Sequence, residues 1–391
     1  MYDHNHYIPM FLLKGFATET ANKKLKIQYV NTKDNVLEFR NIYSTFWKSR
    51  LYDINSEDPK VLEKLFSTVI ENPVSAIIKR ICSSKESHFS ISRNELDILK
   101  KYILIQNYRN PSNYQAYENA SSMDKFTFSS QFKTENESDT DYWKREMRYI
   151  LDHEWDDIVK QTEMPGVQRA TKPIYQGYLT FFSTDDEFFL SDVPVFTERI
   201  PMTIPKEKEE EFIKIAIETS KNSGLSPTQV EENARREIKE KTSYFDNFSF
   251  MVIAPKLAVA VVDVAWKMKH LFGYIGTNLN SPILNNPKNI YLPKNHFQNS
   301  EKIIDSETLQ KYKDQNDKYE FEIIKLTRME TDHVMLLSLN ETNTFIAYKN
   351  SESIIRQINL YNHAKASGTP NVKNDYSKTL ELILINSKEI I

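Results

Sequence analysis

Three short stretches of this chain put chemically able side chains next to sequence that must fold. The first is Asp3-His4-Asn5-His6-Tyr7-Ile8-Pro9, in which two imidazoles alternate ahead of a proline. Histidine titrates nearest neutral pH, so His6, with His4 two residues before it, is a candidate proton-transfer group. A His-x-His pair can also hold a metal. No His-Glu-x-x-His and no carboxylates at ligand spacing accompany this one, so no metal site and no cofactor are assigned. The competing reading is a pair of histidines in a frayed terminus.

The second stretch is Gln106-Asn107-Tyr108-Arg109-Asn110-Pro111. Gln106 falls on the apolar face of a helix, where an amide must find partners or cost stability. Arg109 carries a fork of donors suited to phosphate or carboxylate, or it answers the carbonyls at the helix end. The third is Ser191-Asp192-Val193-Pro194, which puts a hydroxyl and a carboxylate where an apolar strand ends. A turn in which those groups satisfy their own backbone is the alternative.

The elements that would position these groups can be read from periodicity. A loop and a short helix follow Pro9. Lys24 to Val30 and Val36 to Arg40 alternate as a β-hairpin. Residues 59 to 83 have a helical period interrupted at Pro73. Ser92 and Glu95 form a capping box for the helix carrying Gln106, and Pro111 ends that helix. Ser121 to Thr140 reads as a polar connection. A helix is expected over 141 to 163, stopped by Pro165-Gly166. Tyr175 to Phe182 and Phe188 to Val195 read as two strands joined by an acidic turn.

Two charged helices at 206 to 241 meet at Gly224-Leu225-Ser226-Pro227. They read as an insertion between strands, because Phe248 to Ile253 and Leu257 to Val264 resume a β pattern. Asn285 to Ser300 reads as a long loop and Tyr319 to Leu326 as a strand. Residues 332 to 348 read as a buried helix, and Leu380 to Leu384 as part of a terminal one. The class expected is α+β: a helical N-terminal half with a β-hairpin, a central antiparallel sheet carrying the helical hairpin, and a C-terminal helix. The division expected is one domain over 1–349, the insertion at 206–241 and an extension at 350–391.

Composition narrows the chemistry. The 391 residues are 40% hydrophobic and 27% charged, enough to bury a core. Seven glycines leave no phosphate-cradling G-x-G-x-x-G or P-loop, and one cysteine, Cys82, excludes disulfide frameworks and Cys-based metal sites. A net charge of -3 argues against a protein that coats nucleic acid, though a local basic cleft stays open. No leader and no bilayer-length apolar run is read, so a soluble, cytoplasmic protein is expected.

Arg148 and His153 show the Arg-x4-His spacing found in metal-independent helical ribonucleases of the HEPN type. On a regular helix their side chains diverge by roughly 140°.

Taken together, the islands resemble a bacterial family catalogued as a domain of unknown function (number forty-two thirty-eight). Its opening His-Tyr-Ile-Pro-x-Phe-x-Leu-x-x-Phe is matched by His6, Tyr7, Ile8, Pro9, Phe11, Leu13 and Phe16. Its Gln-x-x-Arg-x-Pro is matched by Gln106, Arg109 and Pro111, and its Ser-Asp-x-Pro-Val by Ser191, Asp192, Pro194 and Val195. Ile253-Ala254-Pro255 is similar to its later strand, and Asn340 to Ala347 to its closing segment. Some members sit among anti-phage defence genes, so the resemblance implies defence as a process without supplying a chemistry.

From this follows the expectation that His6, Gln106, Arg109, Ser191 and Asp192 share a pocket. His6 would move the proton, Asp192 would orient His6 or act as a second acid/base, and Arg109 with Gln106 would hold an anion, with Ser191 and His4 binding substrate. Such a kit suits metal-independent RNA cleavage in a defence effector. The alternatives are a nucleotide or small-molecule sensor, and an interaction module whose hairpin at 206–241 meets a protein partner. Oligomeric state is left open.

Overall fold

The computed structural model describes residues 4–54, 58–84, 87–118, 133–134, 136–160, 164–201, 206–219, 226–240, 244–262, 318–369 and 372–388. The histidine segment is a strand, β1 (His4–His6), followed by α1 (Met10–Phe16), which buries Leu12, Leu13 and Phe16. β2 (Thr18–Glu19), β3 (Leu25–Asn31) and β4 (Val36–Asn41) contain the expected hairpin. β5 (Trp47–Ser49) then returns to pair antiparallel with β1 and sets His6 opposite Trp47.

The helical run over 59–83 keeps its extent, but its irregularity precedes Pro73. It forms α2 (Val61–Leu65), a π-helical turn (Phe66–Glu71) and α3 (Asn72–Ser83). Pro73 lacks an N–H, and its ring would press on the carbonyl four residues back. Widening the preceding turn absorbs both effects, with the Asn72 N–H donating to the Ser67 carbonyl.

β6 (His88–Ser92) leads into α4 (Arg93–Tyr108), whose expected capping box is present: Glu95 N–H donates to Ser92 Oγ and Ser92 N–H to Glu95 Oε2. Pro111 does more than end α4. It opens α5 (Pro111–Glu118), since a missing N–H costs nothing in a first turn. For the same reason Pro165, expected as a stop, opens a helix. The single helix expected over 141–163 is divided into α6 (Asp139–Asp152) and α7 (Trp155–Lys160), and α8 (Pro165–Gln176) follows.

β7 (Tyr178–Thr184), β8 (Leu190–Ser191) and β9 (Val195–Pro201) correct the expected two-strand unit. Both edges of β7 are taken by other strands, so the chain after the acidic turn crosses to another sheet. The helical hairpin is α9 (Lys206–Thr219) and α10 (Pro227–Glu240), the latter capped by Ser226 through Gln229 N–H. It connects β9 to β10 (Tyr244–Ala254), and those two strands pair antiparallel. Gly224, Leu225, most of 121–135, the end of the strand expected to Val264 and the loop at 285–300 lie outside the described residues.

β11 (Leu257–Val262) and β12 (Lys318–Leu326) complete a six-stranded sheet ordered β6-β12-β7-β11-β10-β9, antiparallel except for the parallel β12–β7 pair. The buried helix expected over 332–348 is instead α11 (Arg328–Glu341) and β13 (Phe345–Tyr348). Phe345 to Tyr348 are better used as a strand, because β13 fills the gap between β3 and β8. The second sheet is therefore β2-β3-β13-β8, with β4 on the far side of β3.

Beyond residue 350, expected only as an extension, come α12 (Ser351–Ala366) and α13 (Ser377–Lys388), the latter around the expected Leu380 to Leu384. Ile354, Ile358, Tyr361, Tyr376 and Ile383 from this stretch join the hydrophobic core shared by both sheets. The class is α+β. Among the described residues no helix is long and apolar enough to cross a membrane.

Candidate functional site

Arg109 follows the last residue of α4 and is 1% exposed, an unusual place for a guanidinium. Every part of its fork is engaged. Nε donates to Tyr52 Oη at 3.1 Å, Nη1 to Glu71 Oε1 at 2.5 Å, and Nη2 to the main-chain carbonyl of His6. Its flat face lies 4.5 Å from the centre of the Phe66 ring. It does not answer the carbonyls of its own helix. It joins β1 to the helices.

The π-turn explains how Phe66 and Glu71 both reach this cation. On a regular α-helix residues five apart diverge by roughly 140°; a turn closed by i→i+5 bonds brings them to one face. One residue supplies the ring under the guanidinium and the other the carboxylate at its edge. Next to them Asn5, buried on β1, donates to Glu63 Oε1 at 2.7 Å and accepts the Tyr52 N–H. Burial pushes the Glu63 carboxyl up, against the pull of Arg109 and Asn5.

The His6 ring sits at the border of this cluster. Burial first, then the positive charge of Arg109 and the neighbouring His4, push its pKa down to about 4, so it is a neutral imidazole at physiological pH. Its Nε2 is buried and has no hydrogen-bond partner. His4 is placed nearer the surface, its Nδ1 3.1 Å from the Tyr43 carbonyl and its ring stacked 3.6 Å from Trp47.

Gln106 is fully buried, and neither its amide oxygen nor its nitrogen has a partner. One turn earlier the Tyr102 hydroxyl is also buried and unpartnered, and it feels the charges of Glu71 and Arg109. Tyr102, Gln106 and Arg109 fall within about 60° of one another around α4. That face therefore carries one saturated cation and three unsatisfied polar atoms.

Asp192 and Ser191 serve a different junction. The Asp192 carboxylate accepts Asn343 N–H at 2.9 Å and Thr344 N–H at 2.8 Å, holding the entry to β13 against β8. Burial raises its pKa to about 6, while those amides pull it down. Its charge reaches Tyr7, the residue after His6, but its hydrogen bonds do not go to His6, Gln106 or Arg109. Ser191 Oγ accepts Val193 N–H and donates to the Val193 carbonyl, a local turn. Of the expected residues, then, the fold brings His6, Gln106 and Arg109 to one region and ties Ser191 and Asp192 to the sheet beyond Tyr7.

The sequence reading missed Tyr52, Glu63, Glu71 and Tyr102. The signal available was Pro73 inside a helical run, which shifts the angular register of everything before it. Arg148 and His153 point apart: Arg148 Nε donates to Asp152, and the His153 ring stacks on Tyr149 with Nδ1 2.8 Å from the Tyr149 carbonyl. An open cleft of about 430 Å³ lies along α6, lined by Asn136, Glu137, Lys144, Arg145 and Arg148 among others; His4, His6, Gln106, Arg109, Ser191 and Asp192 do not line it. Among the described residues no cluster of three or more His, Cys, Asp or Glu side chains could hold a metal.

The fold and this region define an α+β protein with a buried polar cluster between an N-terminal strand and a central helix. The chain belongs to the family described as a protein of unknown function (DUF4238), which matches residues 4–216. The matched stretch contains His6, Gln106, Arg109, Ser191 and Asp192 and ends within α9; Ile253 to Pro255 and Asn340 to Ala347 lie beyond it. No curated protein and no solved structure matches the chain.

Proposed function

We propose that this chain is a sensor for a small polar ligand, received where β1, the π-turn and α4 meet. One observation carries the reading: both amide atoms of Gln106, the Tyr102 hydroxyl and His6 Nε2 are buried without partners beside an ion pair that is itself complete. A buried polar atom left unpaired costs about 1–3 kcal/mol, so four of them in one region are explained by something that pairs with them. A glutamine amide offers a donor and an acceptor side by side, the pattern that reads a complementary edge on a ligand. The defence process implied for the family would then use this region to detect a molecule.

Metal-independent RNA cleavage is the second reading, favoured by the neutral His6 imidazole with its open nitrogen, the form that accepts a proton. It ranks second because Arg109 would have to leave Glu71, Tyr52 and the His6 carbonyl before it could hold a phosphate. Calorimetric titration of the intact chain with a panel of nucleotides, amino acids and sugar phosphates tests the first reading. It requires saturable binding of at least one member, weakened tenfold or more by Gln106→Leu. Total RNA shortened by the wild type and left intact by His6→Gln, with no ligand bound, would put the second reading ahead.

A further inference from the structure

The short β1–β5 ribbon carries aromatic side chains that the hydrophobic core does not need. His6 pairs in register with Trp47, and the His4 ring, diagonal to it, stacks on the indole at 3.6 Å with 18° between the planes. Same-face neighbours on paired strands lie within side-chain reach, so His4, Trp47 and His6 form one strip of rings. At the outer end of the strip Tyr43 is 60% exposed, and its carbonyl meets the His4 ring. At the inner end is the unpartnered His6 Nε2.

We propose that this strip is a stacking platform for a nucleobase, which lays its flat face on the Trp47–His4 stack and turns its polar edge toward His6. The inference rests on the sensor reading and names its ligand class. A flat heterocycle suits both parts of the region. Its π-face gains from stacking on aromatic rings whatever its identity. Its edge carries the donor and acceptor groups that the unpaired nitrogen lacks. The base can come from a free nucleotide or from unpaired RNA, which share this chemistry.

The test is titration of the full chain with AMP, UMP, ribose 5-phosphate, glutamine, and short single-stranded oligo-A and oligo-U. Base-bearing ligands should bind and ribose 5-phosphate should not. Trp47→Leu should weaken base binding about 5- to 150-fold, the range for losing one stacking partner. Trp47→Phe should keep most of it, and Tyr43→Ala, at an exposed position that leaves the ribbon intact, should weaken it several-fold. Binding of the mononucleotides as well as the oligonucleotides would assign a free nucleotide; oligonucleotides alone would assign RNA. The inference is overturned if no base-bearing ligand binds, or if Trp47→Leu folds and binds them unchanged. If glutamine binds in a Gln106-dependent manner while bases do not, the platform falls and the sensor reading stands.

Discussion

Arg109 Nη2 donates to the main-chain carbonyl of His6 across 103 residues of sequence, while Nη1 of the same guanidinium holds Glu71. One cation thus fixes an N-terminal strand, a π-turn and the end of the central helix in a single arrangement. Its desolvation is offset by charge and hydrogen bonding on every side, and the balance fails if one partner goes.

Replacing Arg109 by Ala should therefore cost about 3–5 kcal/mol, the range for breaking a buried pair and leaving its partner uncompensated. Arg109→Lys should fall between, because an ammonium cannot span Tyr52, Glu71 and the His6 carbonyl at once. Urea midpoints at neutral pH measure both. A lysine variant as stable as the wild type would show that the fork geometry is not needed.

The His6 imidazole makes stability depend on acid. Its folded pKa, about 4, lies below the ordinary value of 6.5. Between these limits the unfolded chain binds more protons, so stability is full above pH 6.5 and is lost as pH falls toward 4. His6→Gln should flatten the stability-against-pH curve in that window by up to one proton, read from urea midpoints at half-unit steps.

Asp192 acts in the opposite sense. Its folded pKa of about 6 lies above the ordinary 3.8, so the folded chain binds the extra proton and stability falls as pH rises through that interval. Asp192→Asn removes this opposing slope, and the variant's stability should climb more steeply between pH 4 and 6 than the wild type's. It should also sit lower throughout, by about 1–3 kcal/mol, because the amide keeps one accepting oxygen while its NH₂ cannot accept the other of the Asn343 and Thr344 N–H groups.

Gly177, between α8 and β7, has no room for a side chain. A Cβ there would lie 2.5 Å from Val261 Cγ1 and 2.8 Å from the Pro173 carbonyl oxygen. Gly177→Ala should destabilise by about 1–3 kcal/mol, the usual cost of forcing extra volume into a packed interior. An unchanged thermal midpoint would show that α8 can shift away from β11.

Much of this fold is legible in local sequence. The Ser92–Glu95 and Ser226–Gln229 caps, the β3–β4 hairpin and the charged helical hairpin all rest on interactions within a few residues. The misreadings lie where a distant partner decides. Phe345 to Tyr348 form a strand because β3 and β8 leave a gap for one. Glu71 reaches Arg109 because Pro73 forces a π-turn that no 3.6-residue period foretells. In the candidate site, His6, Gln106 and Arg109 stand out by residue type on apolar surroundings. Whether each is satisfied is a property of packing: Arg109 is saturated, Gln106 is not, and the sequence looks alike for both.

On the sensor reading, Gln106 is held unpaired for a ligand and is not needed by the fold. The direct measurement is the unfolding free energy of Gln106→Leu in ligand-free protein, compared with the wild type in urea at neutral pH. Leucine removes both unpaired amide atoms at nearly equal volume, so the variant should be at least as stable as the wild type and gain up to about 1–3 kcal/mol. A loss of more than about 2 kcal/mol would contradict the claim, since it would mean the amide is already satisfied inside the folded chain and supports it.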